Sequence, residues 1–86
     1  MKLEDKYSFI MYHPLHCARC EFSKRYLKGF KVTDVLLDDR NQQLVEEFRN
    51  KGYQSFPVIQ VFEGENMIDE WNNLNIKKLE KYTRKK

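Results

Sequence analysis

Beyond Cys17 and Cys20 the chain has no cysteine, so no framework of disulfides can staple it, and its stability must come from apolar burial. Its three glycines, Gly29, Gly52 and Gly64, lie too far apart to form a loop that cradles phosphate. No serine, histidine and acid fall into a recognisable triad motif. No apolar run approaches the length of a bilayer span, and Met1-Lys2-Leu3-Glu4-Asp5-Lys6 has acids where a signal peptide carries its apolar stretch, so a cytoplasmic address is expected. Neither a repeat nor a low-complexity linker divides the 86 residues, a length that suits one domain over 1–86 with a small core. Six phenylalanines, five tyrosines and a tryptophan, in separated clusters that can be buried together, exclude a disordered chain.

Charge of one sign is also scarce until the end of the chain. Residues 77–86 hold six bases (Lys77, Lys78, Lys81, Arg84, Lys85, Lys86) against Glu80, whereas residues 1–76 hold ten bases against twelve acids. A basic end can attract nucleic acid or anionic membrane, but bases in a last helical turn also answer the negative end of the helix. Tyr26, Tyr53 and Tyr82 fit the core edges of amphipathic elements and offer no platform for stacking bases. Neither nucleic acid nor membrane is therefore expected as a partner, and the chain reads as a monomer.

What remains is Cys17-Ala18-Arg19-Cys20. A thiolate is the reacting form of cysteine, and a helix start favours it by aiming free N–H groups and the positive end of the dipole at the sulfur. Glu21 to Lys28 contains no breaker, places its acid early and its bases late, and is followed by Gly29 as a stop. On such a helix sulfurs three residues apart share a face and can bond without unwinding it. Zinc is the competing chemistry, since His13, His16, Cys17 and Cys20 form His-x-x-His-Cys-x-x-Cys. Zinc sites of this composition draw ligand pairs from two separated segments, which one strand end and one helical turn do not supply, so no metal is expected. An iron–sulfur cluster usually requires four thiolates.

Around this motif the hydrophobic pattern alternates between strand and helix. Tyr7 to Tyr12 reads as a first strand stopped by Pro14, and Lys31 to Leu37 as a second, with Asp38 or Asp39 capping a helix over about 40–51 that buries Leu44, Val45 and Phe48 and ends at Gly52. Val58 to Phe62 and Met67 to Trp71 are strands joined by a long turn, Glu63-Gly64-Glu65-Asn66, and a last helix from about Leu74 presents Leu74, Leu79 and Tyr82. The order is βαβαββα. Strands joined through a helix are parallel and strands joined by a turn antiparallel, giving an α/β fold with a mixed four-stranded sheet flanked by helices. Pro57 suits the beginning of its strand, where no amide donor is needed; the residues alone leave its peptide bond cis or trans.

A Cys-x-x-Cys opening the first helix, with an x-Pro some forty residues later ahead of a hairpin, resembles the glutaredoxin family and its thioredoxin-like fold. Gly52-Tyr53-Gln54-Ser55-Phe56-Pro57-Val58-Ile59 is similar to the corresponding stretch of NrdH-redoxins, the small glutaredoxin-like donors to ribonucleotide reductase, and Trp71 sits where those proteins carry a tryptophan. The resemblance implies a dithiol–disulfide oxidoreductase with no bound cofactor, acting on protein disulfides, with ribonucleotide reductase as the acceptor it points to. It implies that Cys17 is the nucleophile and Cys20 the resolving thiol, and that a cis Pro57 presents the backbone of Phe56 to a partner chain; the basic residue often found three positions before the first cysteine is Pro14 here, which leaves His13, Arg19 and protonated His16 to supply positive charge beside Cys17. Glutathione or a thioredoxin-reductase-type flavoenzyme would be the reductant. Where glutaredoxins carry a glycine pair that helps hold glutathione, this chain has Asn72-Asn73, so glutathione is expected to serve poorly.

Overall fold

The computed structural model describes residues 6–83. The expectations for Met1 to Asp5 and for the basic residues Arg84, Lys85 and Lys86 lie outside that range. The elements run β1 (Ser8–His13), α1 (Ala18–Leu27), β2 (Lys31–Leu36), a short 3-10 turn (Asp39–Asn41), α2 (Gln42–Asn50), β3 (Val58–Glu63), β4 (Asn66–Asn72) and α3 (Ile76–Thr83). The expected mixed sheet is present, in the order β2-β1-β3-β4. β1 pairs parallel with β2 and antiparallel with β3, and β3 pairs antiparallel with β4.

Alternation along the strands divides the sheet into two faces of unequal cover. Phe9, Met11, Ile59, Val61 and Trp71 join Cys20 and Leu27 of α1 and Leu79 and Tyr82 of α3 in one buried cluster. Trp71 stacks on Tyr82 with ring centroids 6.1 Å apart, and Tyr7 meets the Tyr82 ring edge-on at 5.2 Å. On the other face Tyr12 rests on Phe48 of α2, centroids 5.1 Å apart. Leu44 and Val45 were expected in the core beside Phe48, yet only Phe48 is fully buried, because α2 covers this face alone and its first turns stand at the margin.

Local chemistry also moved three boundaries. Asp38 caps a 3-10 turn before α2 begins: its carboxylate accepts the Arg40 N–H at 2.9 Å while the Asn41 side chain accepts the Asp38 N–H at 3.3 Å, so the helix starts at Gln42, two residues late. α3 starts at Ile76 rather than near Leu74, since the Asn75 side chain accepts the Lys78 N–H at 3.1 Å as an N-cap does. The long turn expected over 63–66 is a two-residue Gly64-Glu65 turn, with Gly64 at φ 66°, because Glu63 and Asn66 pair with each other. A register shift beyond Val61 leaves Ile68 as the extra residue on β4.

Where apolar cover is thin, hydrogen bonds hold the sheet. The Glu70 carboxylate accepts from Gln60 Nε2 at 2.8 Å, Tyr53 Oη at 3.1 Å and Lys51 Nζ at 3.1 Å, and Gln60 Oε1 accepts from Tyr12 Oη at 3.1 Å. Burial alone would raise the Glu70 pKa, but the bonds from Gln60, Lys51 and Tyr53 outweigh it and hold it below its ordinary value near 4.5. A carboxyl depressed on folding contributes stability that is complete above its unfolded pKa and is lost as pH falls through the folded one. Glu70→Gln should therefore lower the urea midpoint at neutral pH, with the difference from the unsubstituted protein shrinking below about pH 4.5 as the wild-type carboxyl protonates. Midpoints that differ by the same amount at pH 7 and pH 3 would show that the charge of Glu70 contributes nothing.

Candidate functional site

The cysteine pair sits where β1 hands over to α1. Pro14 ends the strand, and His16 adopts φ 58°, a left-handed conformation uncommon for a non-glycine residue, just before the helix. Cys17 is the N-cap, in extended geometry, and its Sγ accepts the Cys20 N–H at 3.1 Å while its carbonyl accepts the Glu21 N–H at 3.1 Å. Cys17 thus stands half outside the helix and Cys20 one turn inside, with Cα atoms 5.2 Å apart and the sulfurs bonded as a disulfide. Exposure separates the two: Cys17 is half-buried at the surface, whereas Cys20 is 3% exposed in the core cluster. Beyond the last turn Gly29 takes φ 90°, and the Phe30 N–H closes on the Leu27 carbonyl at 3.0 Å, ending the helix as its glycine suggested.

Two clefts open beside Cys17. The smaller, of about 390 Å³, lies between His16, Cys17 and Arg19 on one side and Gln54, Ser55 and Phe56 on the other. The larger, of about 600 Å³, is lined by both cysteines with Met11, His13, Leu15 and Leu36. His16 and Arg19 are exposed, and Phe56 is half-buried against the core. Pro57 is fully buried behind it, and the Phe56–Pro57 bond is cis, the isomer that the resemblance implied.

Asn72 and Asn73 do not line either cleft; they tie the cleft wall from behind. The Asn73 N–H donates to the Pro57 carbonyl at 2.8 Å, and Asn72 Nδ2 reaches the Ser55 carbonyl at 3.4 Å. Asn73 has φ 70°, and its side-chain oxygen accepts the Leu74 N–H at 2.8 Å. Asparagine is among the few residues that adopt this conformation readily, which lets it stand where glutaredoxins carry a glycine.

The four residues of the zinc reading are not gathered into one shell. His13 is on β1 with Nδ1 against the Pro14 carbonyl at 3.1 Å, His16 projects from the loop, and the cysteines are bonded to each other. Among the described residues no group of three or more His, Cys, Asp and Glu side chains could hold a metal ion. Nor is any described helix long and apolar enough to cross a membrane. Gln54, Ser55, Leu15 and Leu36 were not foreseen as cleft residues; for Gln54 and Ser55 their place immediately before Phe56-Pro57 was the available signal.

No protein-family model matches this sequence, and no curated protein matches it significantly. Solved structures do match it in fold. NrdH-redoxin from Escherichia coli, a glutaredoxin-like protein with a thioredoxin-like activity profile, superposes with a TM-score of 0.66 at 22% identity, covering 86% of this chain and 92% of that one. Thioredoxin f2 of Chlamydomonas reinhardtii gives 0.62 at 12% identity over 95% of this chain and 83% of its own. Thioredoxin f from spinach chloroplast gives 0.62 at 15% identity over 95% and 77%. The chain has the thioredoxin-like fold, with its cysteine pair at the start of the first helix after β1.

The difference in burial predicts a difference in reactivity. After reduction, iodoacetamide at neutral pH should modify Cys17 first, with Cys20 at least about tenfold slower because its sulfur is shielded and lacks the helix-start N–H. Peptide mapping of the singly alkylated protein reads the result; modification mainly at Cys20 would reverse the assigned roles.

Proposed function

We propose that the chain is a dithiol–disulfide oxidoreductase that passes two electrons from Cys17 and Cys20 to protein disulfides. The observation that carries this reading is Cys17 as the cap of α1, its sulfur bonded to that of Cys20 while accepting the Cys20 N–H. When the pair is reduced, that N–H and the positive helix end favour the thiolate at Cys17. Cys17 attacks one sulfur of the substrate disulfide, the other leaves as a thiolate, and a mixed disulfide forms on Cys17. Cys20, deprotonated, then attacks the Cys17 sulfur, releasing the second substrate thiolate and closing the Cys17–Cys20 disulfide. Each released thiolate takes up a proton, so one substrate disulfide becomes two thiols and the protein carries away the oxidising equivalents.

The other named residues serve that exchange. Arg19, exposed on the rim with His16, adds positive charge beside Cys17, as His16 would when protonated, an effect screened by salt. The backbone at Phe56, before the buried Pro57, lines up an extended partner across the smaller cleft, and Asn72 and Asn73 hold that wall in place. The backbone N–H groups of Asn73 and Leu74 are both engaged within the chain, on the Pro57 carbonyl and the Asn73 side-chain oxygen, so neither is left to receive a glutathione carboxylate, and we assign reduction to a thioredoxin-reductase-type flavoenzyme. The thioredoxin-like activity profile of the similar NrdH-redoxin supports this pairing, and ribonucleotide reductase is the client proposed by the same likeness. We further propose that residues 1–86 act as one monomeric domain in the cytoplasm, with no bound cofactor.

Cys17→Ser should abolish reduction of an insulin disulfide, whereas Cys20→Ser should accumulate a mixed disulfide with its substrate, visible by non-reducing electrophoresis. Parallel assays with thioredoxin reductase plus NADPH and with glutathione plus its reductase address the electron source. A faster flavoenzyme-coupled rate is expected; a glutathione-coupled rate equal to or above it would make this an ordinary glutaredoxin.

A further inference from the structure

We propose that the seam between α1 and β2 is a docking groove for an extended acidic segment flanking the substrate's disulfide. The inference rests on the oxidoreductase reading and adds the kind of partner it selects.

The groove is continuous with the cysteine pair. The larger cleft beside Cys17 and Cys20 shares Glu21 and Lys24 with a second cleft, of about 390 Å³, that runs on along α1 past Arg25 and Lys28 to Gly29. β2 is an edge strand, so among the described residues no further strand lies against the outer side of this path. Near the disulfide the lining is apolar and open, with Leu15 65% and Leu36 36% exposed. Farther along, Lys24, Arg25 and Lys28 stand against Glu21 and Asp34, beside the apolar Leu27, Phe30 and Val32. Lys24 pairs with Asp34 across the seam at 3.1 Å, which answers the acid of β2, while among the described residues neither Arg25 nor Lys28 is in an ion pair.

The charge of the whole body points the same way. Residues 16–31, the helix with its flanks, carry Arg19, Lys24, Arg25, Lys28 and Lys31 against Glu21 alone, whereas residues 32–76 carry three bases against nine acids. An acidic partner is drawn toward α1 and toward the basic residues of α3, and repelled by the acidic surface of residues 32–76; of the two basic helices only α1 lines the clefts that lead to the disulfide. Nucleic acid would suit the charge but brings no disulfide to the end of the groove.

Length fixes where the partner's acids belong. The ten residues of α1 span about 15 Å, and an extended chain covers about 3.3 Å per residue. Acids about four to six residues from the reacting cysteine would therefore reach Arg25 and Lys28, with apolar residues next to the cysteine against Leu15 and Leu36.

The test uses symmetric disulfide-linked dimers of a short peptide with one cysteine, apolar neighbours, and either glutamates or lysines four to six positions away on both sides. The protein is reduced with dithiothreitol, desalted and mixed with each dimer, and peptide thiol is measured over time. One peptide disulfide breaks to two thiols as the Cys17–Cys20 disulfide forms. The glutamate dimer should react about tenfold faster than the lysine dimer at low ionic strength, a preference that shrinks to about twofold or less near 0.5 M sodium chloride. Arg25→Glu with Lys28→Glu should abolish or reverse the preference, while Lys77→Glu with Lys81→Glu, an equal charge change on α3, should retain most of it. Equal rates for the two dimers would overturn the proposal, as would loss of preference in the α3 pair to the same extent as in the groove pair. Failure of the unsubstituted protein to reduce either dimer or hydroxyethyl disulfide would overturn the oxidoreductase reading itself, and the groove with it.

Discussion

The redox end of the molecule depends on the residue at which α1 begins. A capping residue lies outside the helix while the residue three positions on lies inside it, so a helix that starts after Cys17 separates two chemically identical thiols into an open one and a shielded one. A shift of the cysteine pair by one position would rotate Cys20 by about 100° around the helix axis and take it off the buried face that it shares with Ser23 and Leu27. The start is fixed from two sides. Pro14 and the left-handed His16 end the strand and turn the chain, while the Cys17 sulfur itself receives an amide of the first turn.

Residues whose preferences act locally made most of this visible in the sequence. Pro14 and Gly29 bracket α1, the β-branched and aromatic run from Val58 marks β3, and Asp38 marks a cap, each through a conformational rule that needs no tertiary context. The misses arose where two local rules competed. Asp38 and Asn41 reciprocally capped a 3-10 turn that no hydrophobic period reveals, and Asn75 outcompeted the apolar Leu74 as the start of α3 because a side-chain oxygen satisfies an otherwise unpaired N–H. The hairpin was shorter than its polar residues suggested. Register across a pair of strands decides whether Glu63 and Asn66 are turn or strand, and register is set by the far ends of both strands.

The site divides along the same line. Cys17, Cys20 and Pro57 were identifiable because their chemistry singles them out, and Phe56 followed from its neighbour. Asn72 and Asn73 stand where glutaredoxins carry the glycine pair that helps hold glutathione, and here the Asn72 side chain and the Asn73 backbone N–H donate to the carbonyls of Ser55 and Pro57. Nothing in residue type distinguishes an amide that faces a ligand from one that braces a loop. Leu15 and Leu36 escaped for the converse reason: an apolar residue is expected inside, and only the three-dimensional arrangement leaves these two open beside the disulfide.

The wall across the cleft from Cys17 is tied down from the opposite face of the sheet as well. Gln60, in β3, receives the Tyr12 hydroxyl from the end of β1 and donates to Glu70 of β4, while Glu70 also gathers Lys51 and Tyr53 from the segment leading to Gln54 and Ser55. The two sides of the smaller cleft, the loop after Tyr12 and the loop after Tyr53, are thereby anchored to one carboxylate on the side of the sheet away from α1. A purely apolar contact there would be non-directional and would tolerate sliding between β1 and β3. Because β1 and β3 are neighbours in the sheet, and Asn73 reaches Pro57 from the next strand, these directional bonds hold the cleft to a width set by strand spacing rather than by the loops themselves.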